Sequence, residues 1–222
     1  MKKNKAFVFN AYGAILDTYL PFEEYKDQLG ENALVIYKLW RSKRLQYSSQ
    51  LSLMNRFTNY DLIRKYALEF ACEVYGMKDE DLKKKILDAH SKLDCYPDVK
   101  EVLKTLKDAG KITAVLSNDA PKVLNTALKN AGVDNLLDGV YSTDQIKTYK
   151  PSPAVYEFVE EQLGLQRNKI CFVSSNSWDI AGAASYGFNS VWINRYKRTP
   201  EHLPYQADKE ISKLSELTSM IL

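Results

Sequence analysis

Four short apolar runs constrain this chain more than any other feature: residues 6–9, 112–116, 170–173 and 190–193. Each is apolar almost throughout rather than alternating, the pattern of a strand covered on both faces in a parallel sheet. The later runs are separated by stretches with helical spacing. Residues 99–109 carry Val99, Val102, Leu103 and Leu106 and stop at Gly110; residues 123–131 stop at Gly132, and residues 155–163 at Gly164. Glycine just past the last periodic residue is a usual helix end. The alternation predicts an α/β chain built on a Rossmann-like, doubly wound parallel sheet. Ligands of such sheets bind beyond the carboxyl ends of the strands. Asn10, Ser117, Asn118, Ser174, Ser175 and Asn176 fall there.

Residues 17–94 read differently. Helical patterns run through 33–40, 45–55, 60–75 and 80–93 with few turn signals between them. An all-helical insert after the first strand predicts a cap subdomain over the strand ends, closing the site against water. The expected division is a core of residues 1–16 plus 95–222 and a cap of residues 17–94.

Composition narrows the function. With 222 residues, 45% of them hydrophobic, the chain can bury one sizeable core with an insert. Its net charge of +3 is too balanced for nucleic-acid binding. The basic run Lys83, Lys84, Lys85 reads as a solvated helix face. Met1 to Lys5 is followed by a short strand and a glycine loop, so no secretory or membrane segment is expected. Cys72, Cys95 and Cys171 are odd in number and scattered, which suits reduced thiols and a cytoplasmic location. His90 and His202 have no His or Cys at ligand spacing nearby, which argues against a zinc site or a Ser-His-Asp triad; both are expected at the surface.

Several separated motifs occupy the expected strand ends and the cap. They are Asn10-Ala11-Tyr12-Gly13-Ala14, Leu39-Trp40-Arg41 with Leu45 and Tyr47 beyond it, and Ser52-Leu53-Met54-Asn55-Arg56. Further along stand Leu116-Ser117-Asn118, Tyr149-Lys150-Pro151 with Tyr156 on the next helix, and Ser174-Ser175-Asn176-Ser177-Trp178-Asp179. Together, from Phe7 to about Arg195, they resemble the type II L-2-haloacid dehalogenases of the haloacid dehalogenase superfamily.

The resemblance implies a small-molecule 2-halo carboxylate as substrate, halide as product, and neither metal nor organic cofactor. In the family a carboxylate at position 10 displaces halide from carbon, leaving an ester that water hydrolyses at its carboxyl carbon. By resemblance, Ser117, Lys150 and loop N–H groups would receive the substrate carboxylate. Arg41, Asn118 and Trp178 would receive the halide, and Tyr12, Leu45 and Tyr60 would shape the apolar wall. Lys150 would also keep the nucleophile ionised, while Ser174, Asn176 and Asp179 would orient water and hold Lys150. Asp179 at a helix start is also a routine cap, and Trp178 and Tyr60 would serve equally as core. Family members are often dimers, and the amphipathic helix from Leu45 is compatible with a homodimer.

Three positions depart from the family pattern. Its first motif is Asp-x-Tyr-Gly-Thr, where this chain has Asn10 and Ala14. An amide has no charge and a weakly nucleophilic oxygen, so Asn10 fits a substituted nucleophile that traps substrate, a natural non-catalytic binder of small carboxylic acids, or an amide that deamidates slowly. Ala14 lacks the threonine hydroxyl, and Ser42 stands where glutamine is common. A phosphatase of the same superfamily would need a second aspartate where Tyr12 stands and further carboxylates for Mg²⁺, which Ser174 and Ser175 do not supply.

Overall fold

The computed structural model describes residues 1–221 except Ser91, and the backbone alone at Leu20 and Pro21. Six parallel strands form one sheet in the order β3-β2-β1-β4-β5-β6. These are β1 (Ala6–Asn10), β2 (Ile112–Ser117), β3 (Gly139–Ser142), β4 (Ile170–Ser174), β5 (Asn189–Ile193) and β6 (Lys209–Ile211). The α-helices are α1 (Leu20–Leu29), α2 (Ala33–Leu53), α3 (Tyr60–Val74), α4 (Glu80–Ala89), α5 (Val99–Asp108), α6 (Pro121–Asn130), α7 (Pro153–Leu163), α8 (Ser177–Tyr186) and α9 (Glu216–Ser219).

The four apolar runs correspond to β1, β2, β4 and β5. The two further strands are short edges whose residues are mostly half-buried or exposed, so they carry no continuous apolar run to read. The central strand β1 is buried along its length. Phe7 and Phe9 pack into a cluster with α5 and α6, whereas Ala6 and Val8 pack into another with α7 and α8. Fully burying each phenylalanine contributes about 1.5–3 kcal/mol, which pins the register of β1 and with it the position of Asn10.

Helices α1 to α4 pack on one another around their own apolar cluster, including Phe22, Ile36, Trp40, Leu68 and Ile86. Here α2 is one helix of 21 residues, where the spacing predicted two segments split between Trp40 and Leu45. The polar residues Arg41, Ser42, Lys43 and Arg44 contain no helix breaker, so the chain continues through them. In consequence Arg41, Arg44 and Leu45 share one side of a single helix. At its far end, α4 stops at Ala89 rather than reaching 93.

The strand order reverses at β1, whose neighbours are β2 and β4. Crevices at such reversals are the preferred ligand sites of doubly wound sheets. Asn10, Ser117 and Ser174 end these three strands, and the helical layer faces them.

Candidate active site

A cavity of about 270 Å³ lies between the strand ends and helices α2 and α3. Ten of the residues singled out from the sequence line it: Asn10, Tyr12, Arg41, Leu45, Tyr60, Ser117, Asn118, Lys150, Asn176 and Trp178. The other three, Ser174, Tyr156 and Asp179, stand behind Lys150.

Lys150 is the centre of this arrangement and is 1% exposed. Its Nζ donates to Asp179 Oδ2 at 2.7 Å, to Asn10 Oδ1 at 3.0 Å and to the Leu116 carbonyl at 3.3 Å. Burial lowers the ammonium pKa, and the Asp179 carboxylate opposes that shift. Asp179 in turn accepts from Ser174 Oγ at 3.1 Å and from the Tyr156 hydroxyl at 2.9 Å. It therefore spends its oxygens on Lys150, Ser174 and Tyr156 and does not cap α8, although it stands in that helix's first turn. Burial, and then the Asp179 charge, push the Tyr156 phenol well up, so it stays a donor. A methyl at Gly182 would collide with the Tyr156 ring and Pro151, which explains glycine inside α8 at that point.

Asn10 is satisfied at both ends. Its Oδ1 accepts from Lys150, and its Nδ2 donates to the Tyr12 carbonyl at 2.8 Å. Asn118 Oδ1 accepts from the Lys150 backbone N–H at 3.1 Å, leaving its amide hydrogens as donors toward the cavity. Ser117 Oγ accepts from the Asp119 N–H at 3.1 Å, which leaves the hydroxyl proton available. Arg41 Nη2 donates to Asn176 Oδ1 at 3.1 Å. Gly13 turns the chain after β1 with φ of +91°, and a Cβ there would collide with Ser175 Oγ. Ala14 is fully buried.

A second polar cluster escaped the sequence reading. Arg64 on α3 forms a buried ion pair with Asp119, just past β2, and a second one at 2.9 Å with the half-exposed Asp61. His90, expected at the surface, is only 3% exposed. Its ring stacks on Tyr12 at 4.7 Å and meets the edge of Trp40 at 5.8 Å. Burial, then the charges of Arg64 and Arg44, hold its pKa well below the usual histidine value, so it is neutral near pH 7. Arg44 Nη1 lies 3.5 Å from His90 Nε2. The helical spacing of Leu82, Ile86 and His90 could have signalled burial; nothing local could have paired Arg64 with Asp119. His202 is exposed as expected.

Among the described residues, no three His, Cys, Asp or Glu side chains gather as a metal site, and no helix is long and apolar enough to cross a membrane. The three cysteines are free thiols.

A model of the haloacid dehalogenase-like hydrolases matches residues 5–187. The (S)-2-haloacid dehalogenase 4A of Burkholderia cepacia is 39% identical over 218 residues, covering 98% of this chain and 94% of that protein. The (S)-2-haloacid dehalogenase 1 of Pseudomonas sp. strain CBS-3 is 40% identical over 219 residues, covering 98% and 96%. A crystal structure described as a dehalogenase with an intermediate complex superimposes with a TM-score of 0.96 at 38% identity, covering 100% of this chain and 98% of that one. The chain belongs to the haloacid dehalogenase-like hydrolase family.

Proposed function

We propose that this chain carries the binding site of an (S)-2-haloacid dehalogenase for short 2-haloalkanoates, with the covalent step blocked at Asn10. The observation that carries this reading is the convergence of Asn10, Lys150, Ser117, Asn118, Arg41 and Trp178 on one cavity. In this reading the substrate carboxylate meets Ser117 and Lys150, and the halogen meets Arg41, Asn118 and Trp178. Helices α1 to α4 act as the cap. With an aspartate at position 10, one carboxylate oxygen would form a bond to C2 as the carbon–halogen bond breaks and halide leaves. Water would then attack the carboxyl carbon of the ester, returning the aspartate and releasing a 2-hydroxy acid. Ser174, Asn176 and Asp179 support that water and hold Lys150 in place.

The amide at position 10 makes a poor nucleophile. Loss of a covalent nucleophile costs on the order of 10⁶-fold in rate. The second reading, a non-catalytic binder of short carboxylic acids, is favoured by one observation, the pairing of the Asn10 amide through both its oxygen and its nitrogen. A cytoplasmic location and a homodimer accompany both readings; the free thiols, two of them buried, support the former. The exposed Leu53, Leu62 and Tyr66 on α2 and α3 support the latter.

The test is chloride release from (S)-2-chloropropionate by the Asn10→Asp variant beside the unaltered chain. Release by the variant alone is expected. Silence from both would replace the dehalogenase reading with the binder.

A further inference from the structure

The cavity holds more positive charge than a haloalkanoate uses. Lys150 is matched by Asp179, and Arg64 by Asp119 and Asp61. Among the described residues neither Arg41 nor Arg44 has a carboxylate partner; Arg41 contacts the Asn176 amide and Arg44 the His90 ring. Asp119 also lines the cavity, paired with Arg64 through Oδ1 while its Oδ2 has no hydrogen-bond partner among the described residues; the remaining charged groups on the wall, Arg198 and Glu201, are opposite in sign and exposed to solvent.

The two arginines are held in place rather than left free. Arg41 lies over the Tyr37 ring at 5.6 Å and Arg44 over Trp40 at 4.5 Å. Each guanidinium is thus packed on the aromatic ring one turn back along α2. Arg44 Nε is buried without a hydrogen-bond partner, and a buried donor left unmatched costs about 1–3 kcal/mol. Burial is also the main cause lowering the Arg44 pKa, with Arg41 adding repulsion. An anion beside Arg44 would offset the burial of its charge and the repulsion from Arg41.

We infer that Arg44 forms a second anion subsite and that the cavity takes a short dicarboxylate substituted at C2. This deepens the function proposed above and rests on it for the placing of the first carboxylate at Ser117 and Lys150 and of the halogen at Arg41. The distal carboxylate then meets Arg44. Residues three apart on a helix have Cβ atoms about 5–6 Å apart, the scale of a four-carbon acid. A two- or three-carbon monoacid leaves Arg44 unmatched. Bidentate guanidinium–carboxylate pairing suits this role better than a point charge does.

Calorimetric titration of the unaltered chain with (S)-2-chlorosuccinate and (S)-2-chloropropionate, at one ionic strength, tests the subsite. The diacid is expected to bind at least fivefold more tightly; any smaller ratio overturns the inference. In Arg44→Gln the ratio should fall below twofold, and a ratio kept at the unaltered value overturns the assignment to Arg44. Should Arg44→Gln fail to fold, Arg44→Lys is expected to show an intermediate ratio, and an unchanged one counts against the assignment. Chloride release by Asn10→Asp separates the two claims. Release from the monoacid with a ratio below fivefold sinks the subsite alone. A fivefold ratio with no release from either acid keeps the subsite and sinks the dehalogenase reading.

Discussion

His90 sits between Tyr12, Trp40 and two guanidinium groups, and that position makes it a source of acid sensitivity. In the unfolded chain its pKa is about 6.5, and in the fold burial holds it well below that value. As pH drops through the unfolded value, the unfolded chain binds a proton that the native state refuses. Stability from this group is therefore full above the unfolded pKa and declines below it, by up to about 1.4 kcal/mol per pH unit, until the folded pKa is reached. Urea unfolding of the unaltered chain should show this loss between about pH 6.5 and 5. In His90→Phe, which keeps a ring against Tyr12, the slope should be shallower, and superimposable slopes would exclude His90 as the cause. Placement at the cavity was legible in the sequence where a residue ends a buried strand, as Asn10 and Ser117 do. Sequence reading failed at His90 because a lone histidine carries no chemistry in its neighbours, and only its place just past α4, in line with that helix's apolar side, marks it.

At the scale of elements, the helical layer is tied to the sheet by polar contacts with sequence separations that no local pattern reveals. The Arg64–Asp119 pair joins α3 to the loop after β2, with side chains 5% and 1% exposed. Removing one member of a buried pair strands the other charge, whereas replacing both with apolar groups is often neutral. Asp119→Ala should lower the unfolding free energy by about 3–5 kcal/mol, and the double variant Arg64→Met with Asp119→Leu should recover most of it. A loss under about 1 kcal/mol in the single variant would show that the pair is no tie between the layers. Strands and helices of the core were legible because Phe7, Val8 and their neighbours form unbroken apolar runs. The continuity of α2 was not, because Arg41 to Arg44 interrupt its apolar pattern without interrupting the helix.

Across the whole molecule, two neighbouring residues are anchored in different layers. The Tyr149 backbone N–H donates to Ser52 Oγ near the end of α2, at 3.1 Å, while its hydroxyl donates to the Thr58 carbonyl. One residue on, the Lys150 N–H donates to Asn118 Oδ1, beside β2. Consecutive amides thus have their acceptors in the helical layer and in the sheet layer respectively. Amide hydrogen exchange follows the opening of whichever unit holds the acceptor. Tyr149 should exchange at the rate at which the helical layer lifts away, and Lys150 only when the strand ends themselves come apart. Residue-resolved exchange by NMR should separate the two, with Ser52→Ala speeding Tyr149 and leaving Lys150 unchanged. Equal rates at both positions would mean that the layers open as one. With the two rates separate, the peptide beside the central lysine serves as a built-in clock, timing how often the site is uncovered without any substrate or label.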